Sequence, residues 1–309
     1  MKIAVLGAGA MGCLYGGLLA EGDNEVWLID IWKEHVEKIN KEGLKIQDKC
    51  GERIIKNINA TIYPNKVGVV DLILVFVKSS STDKALEGAK GIIGENTIIL
   101  TLQNGLGNIE KIASVVAEKN IIAGTTAHGS TLLDLGKIVH AGKGLTVLGE
   151  INGKITDRVK KLKELFFESG IETIITDNVL GVIWDKLMVN VGINAITAIT
   201  ELRNGELLDF NEAEELLENA VREAQEVAKA KGVRLISENP VDHTKKICRL
   251  TANNKSSMLQ DIINNRRTEI DMINGAIVKE GSKLDINTPI NLVLTNLIKI
   301  KERRYERMD

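Results

Sequence analysis

The chain opens on KIAVLGAGAMG, an apolar run leading straight into Gly7, Gly9 and Gly12 and then into a helical pattern. A G-x-G-x-x-G turn between a strand and a helix constrains the fold more than any other feature here. The first glycine permits a tight turn, the second lets backbone approach a pyrophosphate, and the third lets helix and strand pack closely. Unpaired N–H groups at the helix start then face the phosphate charge. Glycine is common in turns, so the motif alone says little; opening a chain on a βαβ pattern, it says a great deal.

Up to about residue 176, short apolar runs alternate with helical patterns, the mark of a parallel sheet. Strands are expected at KIAVLG, EVWLID, DLILVFVK, TIILTLQN and IIAGTTAHG, with helices near 11–22, 32–42, 81–92 and 108–117. Residues 44–48 and 53–60 read as an added hairpin turning at Lys49–Gly51, and KIVHAGKGLTVLGE reads as a second one. A helix near 154–169 and a strand IETIIT close this part. From Asn178 onward strand signals stop, and helices are expected over 178–198, 212–231, 240–250, 257–282 and 289–306. Asn211 is the expected cap of the second, with Gly232 just past its end. The fold class is α/β: a Rossmann-type doubly wound sheet in residues 1–176 and an all-helical substrate domain in 177–309. The active site is expected in the cleft between them.

Composition narrows the partners. A net charge of -2 on 309 residues gives no reason to expect nucleic acid or an anionic membrane. The tail KIKERRYERMD is mixed in sign and reads as a solvated helix end. Cys13, Cys50 and Cys248 are widely spaced without a CxxC pair, so no metal site or disulfide framework is expected, and a reducing cytoplasm suits them. The apolar N-terminus is broken by glycines and then by Glu21, Asp23 and Asn24, unlike a signal peptide. No apolar stretch reads as reaching the ~20 residues of a bilayer span, which makes a soluble chain the expectation.

Inside VLGVIWDKLMVNVGINAITAIT, Lys186, Asn190 and Asn194 follow at i, i+4 and i+8 and share one helical face. A cation and two carboxamides set among aliphatic neighbours are costly to bury unless something pairs with them, and a ligand could. The plain alternative is interhelical hydrogen bonding by the asparagines and a lysine snorkelling to the surface. Trp184 and Met188 read as core, while Arg266, Arg267 and Asp271 read as surface or interdomain ion pairs. Asp30 ends the second strand eighteen residues after Gly12, where an acid accepts hydrogen bonds from the adenosine ribose and favours NAD over NADP; the plain alternative is a surface acid capping the following helix. Lys78 and Asn104 stand at the carboxyl edge of the sheet, where a cation and a carboxamide can touch a cofactor; for Lys78 alone a solvated strand end is the equal alternative. His35, His128, His140 and His243 read as structural.

These motifs converge. GAGAMG at 7–12, QNG at 103–105, GTTAHGS at 124–130, WDKLMVNVGINAITA at 184–198 and NKSSMLQDIINNRRTEIDMINGAIV at 254–278 occur in that order. Over nearly its full length the chain resembles the ketopantoate reductase (2-dehydropantoate 2-reductase) family. The resemblance implies reduction of ketopantoate to pantoate by NADPH or NADH, on the route to pantothenate and coenzyme A. It also implies a C-terminal half like the helical domain of 6-phosphogluconate dehydrogenases. It puts the catalytic lysine at Lys186 and substrate contacts at Asn190, Asn194, Asn204, Asn254 and Ser257. Glu269 matches the acidic residue near the nicotinamide. Cofactor contacts fall on Gly7, Ala8, Gly9, Ala10, Met11, Gly12, Lys78, Asn104 and the backbone at Ser130. One departure stands out: the family often has a basic residue for the 2′-phosphate where this chain has Asp30.

Two rival readings follow from the same residues: a related 2-oxo acid or 3-hydroxy acid dehydrogenase, and a dinucleotide-binding regulator without turnover. A long amphipathic helix such as 212–231 either builds a homodimer face or covers the core. One straight helix through 257–269 would hold Ser257 and Glu269 about 18 Å apart, too far for one small substrate. The expectation is that this helix starts several residues after Ser257, with NKSSM folded back.

Overall fold

A computed structural model describes residues 1–305. The chain forms two compact units. One comprises Met1–Gln103 and Asn108–Val179, the other Asn104–Gly107 and the chain from Leu180 onward.

In the first unit the strands are β1 (Lys2–Leu6), β2 (Glu25–Ile29), β3 (Leu44–Asp48), β4 (Gly51–Ile55), β5 (Asn59–Thr61), β6 (Val70–Val75), β7 (Ile93–Thr101), β8 (Ile121–Thr126), β9 (Gly129–Asp134), β10 (Lys137–Gly142), β11 (Thr146–Glu150) and β12 (Thr173–Ile175). Helices α1 (Ala10–Glu21), α2 (Lys33–Glu42), α3 (Thr82–Gly88), α4 (Asn108–Ala113) and α5 (Asp157–Glu168) lie among them in the chain. The main sheet runs β12-β11-β8-β7-β6-β1-β2-β5, parallel from β5 to β8. Its order reverses between β1 and β6, the switch point where such sheets open a crevice at their carboxyl ends. Alternation along β1 sends Ile3 and Val5 into the core shared with α1 and Ala4 and Leu6 into the core shared with α3.

A second sheet, β4-β3-β10-β9, packs on α1. Helix α1 is therefore covered by two sheets, and its paired glycines make that possible. A Cβ on Gly16 would lie 2.5 Å from Leu28 in the main sheet, and one on Gly17 2.7 Å from Ile46 in the small one.

Two expectations about strands need correction. The β3–β4 hairpin forms, but residues 53–60 are not one strand: the chain leaves the small sheet after Ile55, and β5 joins β2 in parallel. Asn57 marks the exit by donating to Ala20 O. KIVHAGKGLTVLGE is not a hairpin either, because β10 pairs with β9 and β3 whereas β11 pairs with β8 and β12. The chain passes from one sheet to the other at Gly144, where a Cβ would sit 2.3 Å from the Ala127 backbone.

The second unit holds α6 (Val179–Thr200), α7 (Asn211–Ala230), α8 (Pro240–Leu250), α9 (Ser257–Ile263), α10 (Asn274–Lys283) and α11 (Pro289–Tyr305). Trp184, Leu187, Met188, Val191 and Ala195 of α6 pack in one core with Leu217, Val221 and Ala224 of α7, Ile277 of α10 and Leu294 of α11. At 22 residues and a mean hydropathy of 1.4, α6 is long and apolar enough to cross a bilayer by length and composition, contrary to the sequence reading. Few residues of that window are charged, and 61% of it is buried inside the protein, as in a core helix.

The expected helix over 257–282 is broken in two. It begins at Ser257 itself, not several residues later as expected, with Ser256 as its cap, and stops at Ile263, where Asn265 turns into positive φ (51°) and the Arg266 N–H closes on Asp261 O. Thr268 then bonds to Glu302 of α11 through both its N–H and its hydroxyl, which holds the break open. NKSSM therefore need not fold back; the chain bends after the helix instead. Asn211 is the first residue of α7 rather than its cap, a one-residue difference at a fraying end. The expected last residue of α11, 306, and the end of the KIKERRYERMD tail lie outside the described residues.

Candidate active site

Within the helical unit, Lys186, Asn190 and Asn194 recur at four-residue intervals on α6, continued one turn further by Thr197. The face is lined by a core helix, so its polar groups are held in place by the aliphatic packing around them. Lys186 and Asn190 are partly buried and Asn194 is buried. Neither carboxamide has a hydrogen-bond partner among the described residues, which the interhelical alternative would require. Burial pulls the Lys186 ammonium down to a pKa of about 8, and the charge of Glu269 works in the opposite direction.

Glu269 sits in the bend between α9 and α10, and its Oε2 accepts from Asn104 Nδ2 at 3.2 Å. Asn104 follows β7 in sequence but belongs to the helical unit, because the Leu106 N–H donates to Met272 O and Gly105 lies flat on Met272. A Cβ on Gly105 would come within 2.2 Å of that carbonyl, and its φ of +80° is a second reason for glycine.

Two residues that sequence reasoning missed tie the remaining candidates to α6. The Thr197 and Ser256 hydroxyls are 2.7 Å apart, and Ser256 Oγ caps α9 by accepting the Leu259 N–H. Ser257 is thus the first residue of α9, exposed, beside a buried cap. Asn254 lies three residues before Ser257, and its carbonyl accepts the Asn204 N–H at 3.0 Å. Asn204 itself is buried; its amide donates to Thr251, and its Oδ1 has no partner among the described residues. The signal that could have found Thr197 was its place three residues past Asn194, on the same helical face, overlooked because a threonine in a greasy helix passes for core.

In the sheet unit the glycine turn lies at the switch point. Gly7 has φ +97°, and a Cβ there would meet Val77 N at 2.7 Å; one on Gly12 would meet Gly7 O at 1.8 Å. A Cβ on Gly9 would meet nothing within 4 Å, so the turn presents open space at the N-terminus of α1. Ala10 and Met11 form the first turn of that helix without a side-chain cap, and Ser130 of β9 donates to Ala10 O. Asp30 Oδ2 accepts the Ala8 N–H at 2.6 Å and its Oδ1 the Trp32 N–H at 3.0 Å. A cradle open above Gly9, uncapped N–H groups and a fixed carboxylate fit a dinucleotide. Lys78 stands exposed just past β6.

His128 and His140 share a 3.0 Å contact between ring nitrogens, and burial pushes His128 down to about 4. Asp271 pairs with Lys299 at 2.5 Å.

A doubly wound sheet with this glycine turn, followed by a helical unit carrying a lysine among carboxamides, defines an NAD(P)-dependent oxidoreductase of the Rossmann class. Family models described as Ketopantoate reductase PanE/ApbA and Ketopantoate reductase PanE/ApbA C terminal match residues 3–153 and 178–302. The chain belongs to the ketopantoate reductase family. It is 38% identical over 302 residues to 2-dehydropantoate 2-reductase of Pyrococcus horikoshii, covering 98% of both chains. Its identity to the same-named protein of Halobacterium salinarum is 36% over 303 residues, 98% of this chain and 99% of that one. Among solved structures, a PanE/ApbA family ketopantoate reductase from Ralstonia eutropha JMP134 superposes with a TM-score of 0.91 at 32% identity, covering 99% of this chain and all of that one. D-mandelate dehydrogenase in its ternary structure with NADH and anilino(oxo)acetate gives 0.93 at 33%, with the same coverage.

Proposed function

We propose that the protein reduces 2-dehydropantoate (ketopantoate) to pantoate with NAD(P)H, the sheet unit binding the dinucleotide and the helical unit the keto acid. The observation that carries this reading is Lys186: an ammonium lowered to about 8 by burial, on one face with two carboxamides that lack hydrogen-bond partners among the described residues.

When bound, the reduced nicotinamide supplies a hydride to the carbonyl carbon. Lys186 Nζ polarises the keto oxygen and delivers its proton there as alkoxide charge develops. A donor near 8 is mostly charged at neutral pH yet releases its proton more readily than an ordinary lysine. Glu269 keeps that ammonium charged against the pull of burial, and Asn104 orients Glu269. Asn190 and Asn194 each offer one acceptor and two donors to the substrate hydroxyl and carboxylate. The orphaned Asn204 Oδ1 suits the hydroxyl, and the Ser257 and Asn254 side chains suit the carboxylate. Gly7 to Gly12, Asp30, Lys78 and Ser130 hold the dinucleotide, with Asp30 favouring NADH over NADPH.

Mixing the protein with NADH or NADPH and ketopantoate, and following the reduced-nicotinamide absorbance near 340 nm (roughly), tests this reading. The likeness to D-mandelate dehydrogenase supports one alternative, so the keto acid corresponding to mandelate is the second arm. Turnover of that compound but not ketopantoate would replace the substrate; tight dinucleotide binding with no turnover of either would leave a regulator. Three free cysteines suit the cytoplasm. A homodimer belongs to the same proposal, on Leu292, Val293, Leu297 and Ile300, exposed apolar side chains of α11; light scattering reads it.

A further inference from the structure

Behind the glycine turn runs a chain of hydrogen bonds that the reaction itself does not use. The Gly136 N–H, in the turn between β9 and β10, points at His35 Nδ1 at 3.1 Å. An N–H can only donate, so Nδ1 carries no proton, and the neutral ring carries it on Nε2. Nε2 lies 3.5 Å from Cys13 Sγ, which makes the sulfur an acceptor from His35. The thiol proton then goes to Ala8 O, 3.0 Å from Sγ. Ala8 N–H in turn reaches Asp30 Oδ2. Every link runs in one direction: Gly136 to His35 to Cys13 to Ala8, and from Ala8 to Asp30.

Cys13 and His35 have no exposed surface at all, and Ala8 has almost none. Burial, followed by the nearby charge of Asp30, pushes the Cys13 thiol far up, so the sulfur keeps its proton. It is therefore both donor and acceptor, as the chain requires.

The consequence lies in peptide geometry. A trans peptide sets its C=O and N–H in opposite senses. Fixing Ala8 O on the Cys13 thiol fixes the plane of the Ala8–Gly9 peptide and turns the Gly9 N–H away from the interior, toward the open side of the turn. Fixing Ala8 N–H on Asp30 locks the carboxylate that reads the ribose. One buried thiol thus orients both a pyrophosphate donor and, through the preceding Gly7–Ala8 peptide, the ribose acceptor.

We propose that Cys13 and His35 are positioning residues for the dinucleotide, aligning the Ala8 peptides and Asp30 through this directed chain. The proposal rests on the dinucleotide reading above. Two measurements test it without catalysis. The ring 15N shifts of His35 in the intact protein should show a bare Nδ1 and a protonated Nε2 at neutral pH; the opposite tautomer or an imidazolium would overturn the chain. Titration with NADH and with ADP-ribose should then show Cys13→Ala binding both about five- to tenfold more weakly, the scale of one lost hydrogen bond. Cys13→Ser, which keeps a donor and an acceptor, should recover most of that loss. Equal affinities for wild type and Cys13→Ala, or a serine variant no better than alanine, would also overturn it. Wild-type protein that binds neither ligand would sink the dinucleotide reading itself, and the proposal with it.

Discussion

Asn104 donates an amide proton to Glu269 across 165 positions of sequence, and Glu269 in turn holds up the pKa of Lys186. The three side chains form one electrostatic arrangement: a buried ammonium, the carboxylate charge that opposes its desolvation, and the amide bonded to that carboxylate. The balance between burial and Glu269 decides how the lysine titrates, and several outcomes follow from it.

Removing the donor should be severe. Lys186→Ala is expected to lower kcat by at least ~100-fold, the scale of a lost general acid. Steady-state kinetics with saturating NAD(P)H checks this; near-normal turnover would take the proton-donor role away from Lys186.

The pH profile carries a second prediction. Only the ammonium can donate, so kcat/KM should fall as pH rises through about 8. Glu269 raises the lysine pKa, so Glu269→Gln should move that limb to lower pH. A limb that stays put in the variant would mean that Glu269 does not act on Lys186.

Stability should trade against activity at the same residue. The folded lysine pKa lies below its ordinary 10.5, so between about 8 and 10.5 the unfolded chain binds more protons and stability rises with pH. Below that window the folded protein carries the full cost of a partly buried charge. Lys186→Met should therefore raise Tm at pH 7, with the gain shrinking toward pH 10.5. A Tm difference that is flat across this range would contradict the assigned titration.

The turn glycines separate binding from folding. Gly9→Ala meets open space and should fold with an unchanged Tm while weakening NADH binding. Gly12→Ala drives a Cβ into Gly7 O and should destabilise by about 1–3 kcal/mol or more. Thermal melts beside NADH titrations distinguish the two; similar melting losses in both would refute the difference.

At Asp30 the prediction concerns choice of cofactor. Asp30→Ala should move the NADPH:NADH affinity ratio toward NADPH, since the carboxylate repels a 2′-phosphate. It should also loosen Ala8, whose N–H the carboxylate accepts. An unchanged ratio would show that Asp30 does not read the ribose.

Much of this was legible in the sequence, because the informative residues follow local periodicities. Gly7, Gly9 and Gly12 and the i, i+4 series from Lys186 are short-range patterns, and short-range patterns survive without coordinates. What escaped depended on distant chain. Nothing local says that KIVHAGKGLTVLGE divides between two sheets; that depends on Gly144 passing the Ala127 backbone. The break after Ile263 is held by Glu302, nearly forty residues later. Cys13 and His35 looked inert for the same reason, since their partners include a backbone N–H at Gly136.

The tetrapeptide Asn104–Gly107 has a consequence for anyone dividing this gene. Cutting at the natural seam before Leu180 and expressing the C-terminal piece alone would leave behind four residues that pack with it. That fragment would lose the amide on Glu269 and the strut onto Met272, so its lysine would titrate differently from the intact enzyme's. Supplying the missing loop as a separate peptide would be the cleaner route to a faithful half-molecule.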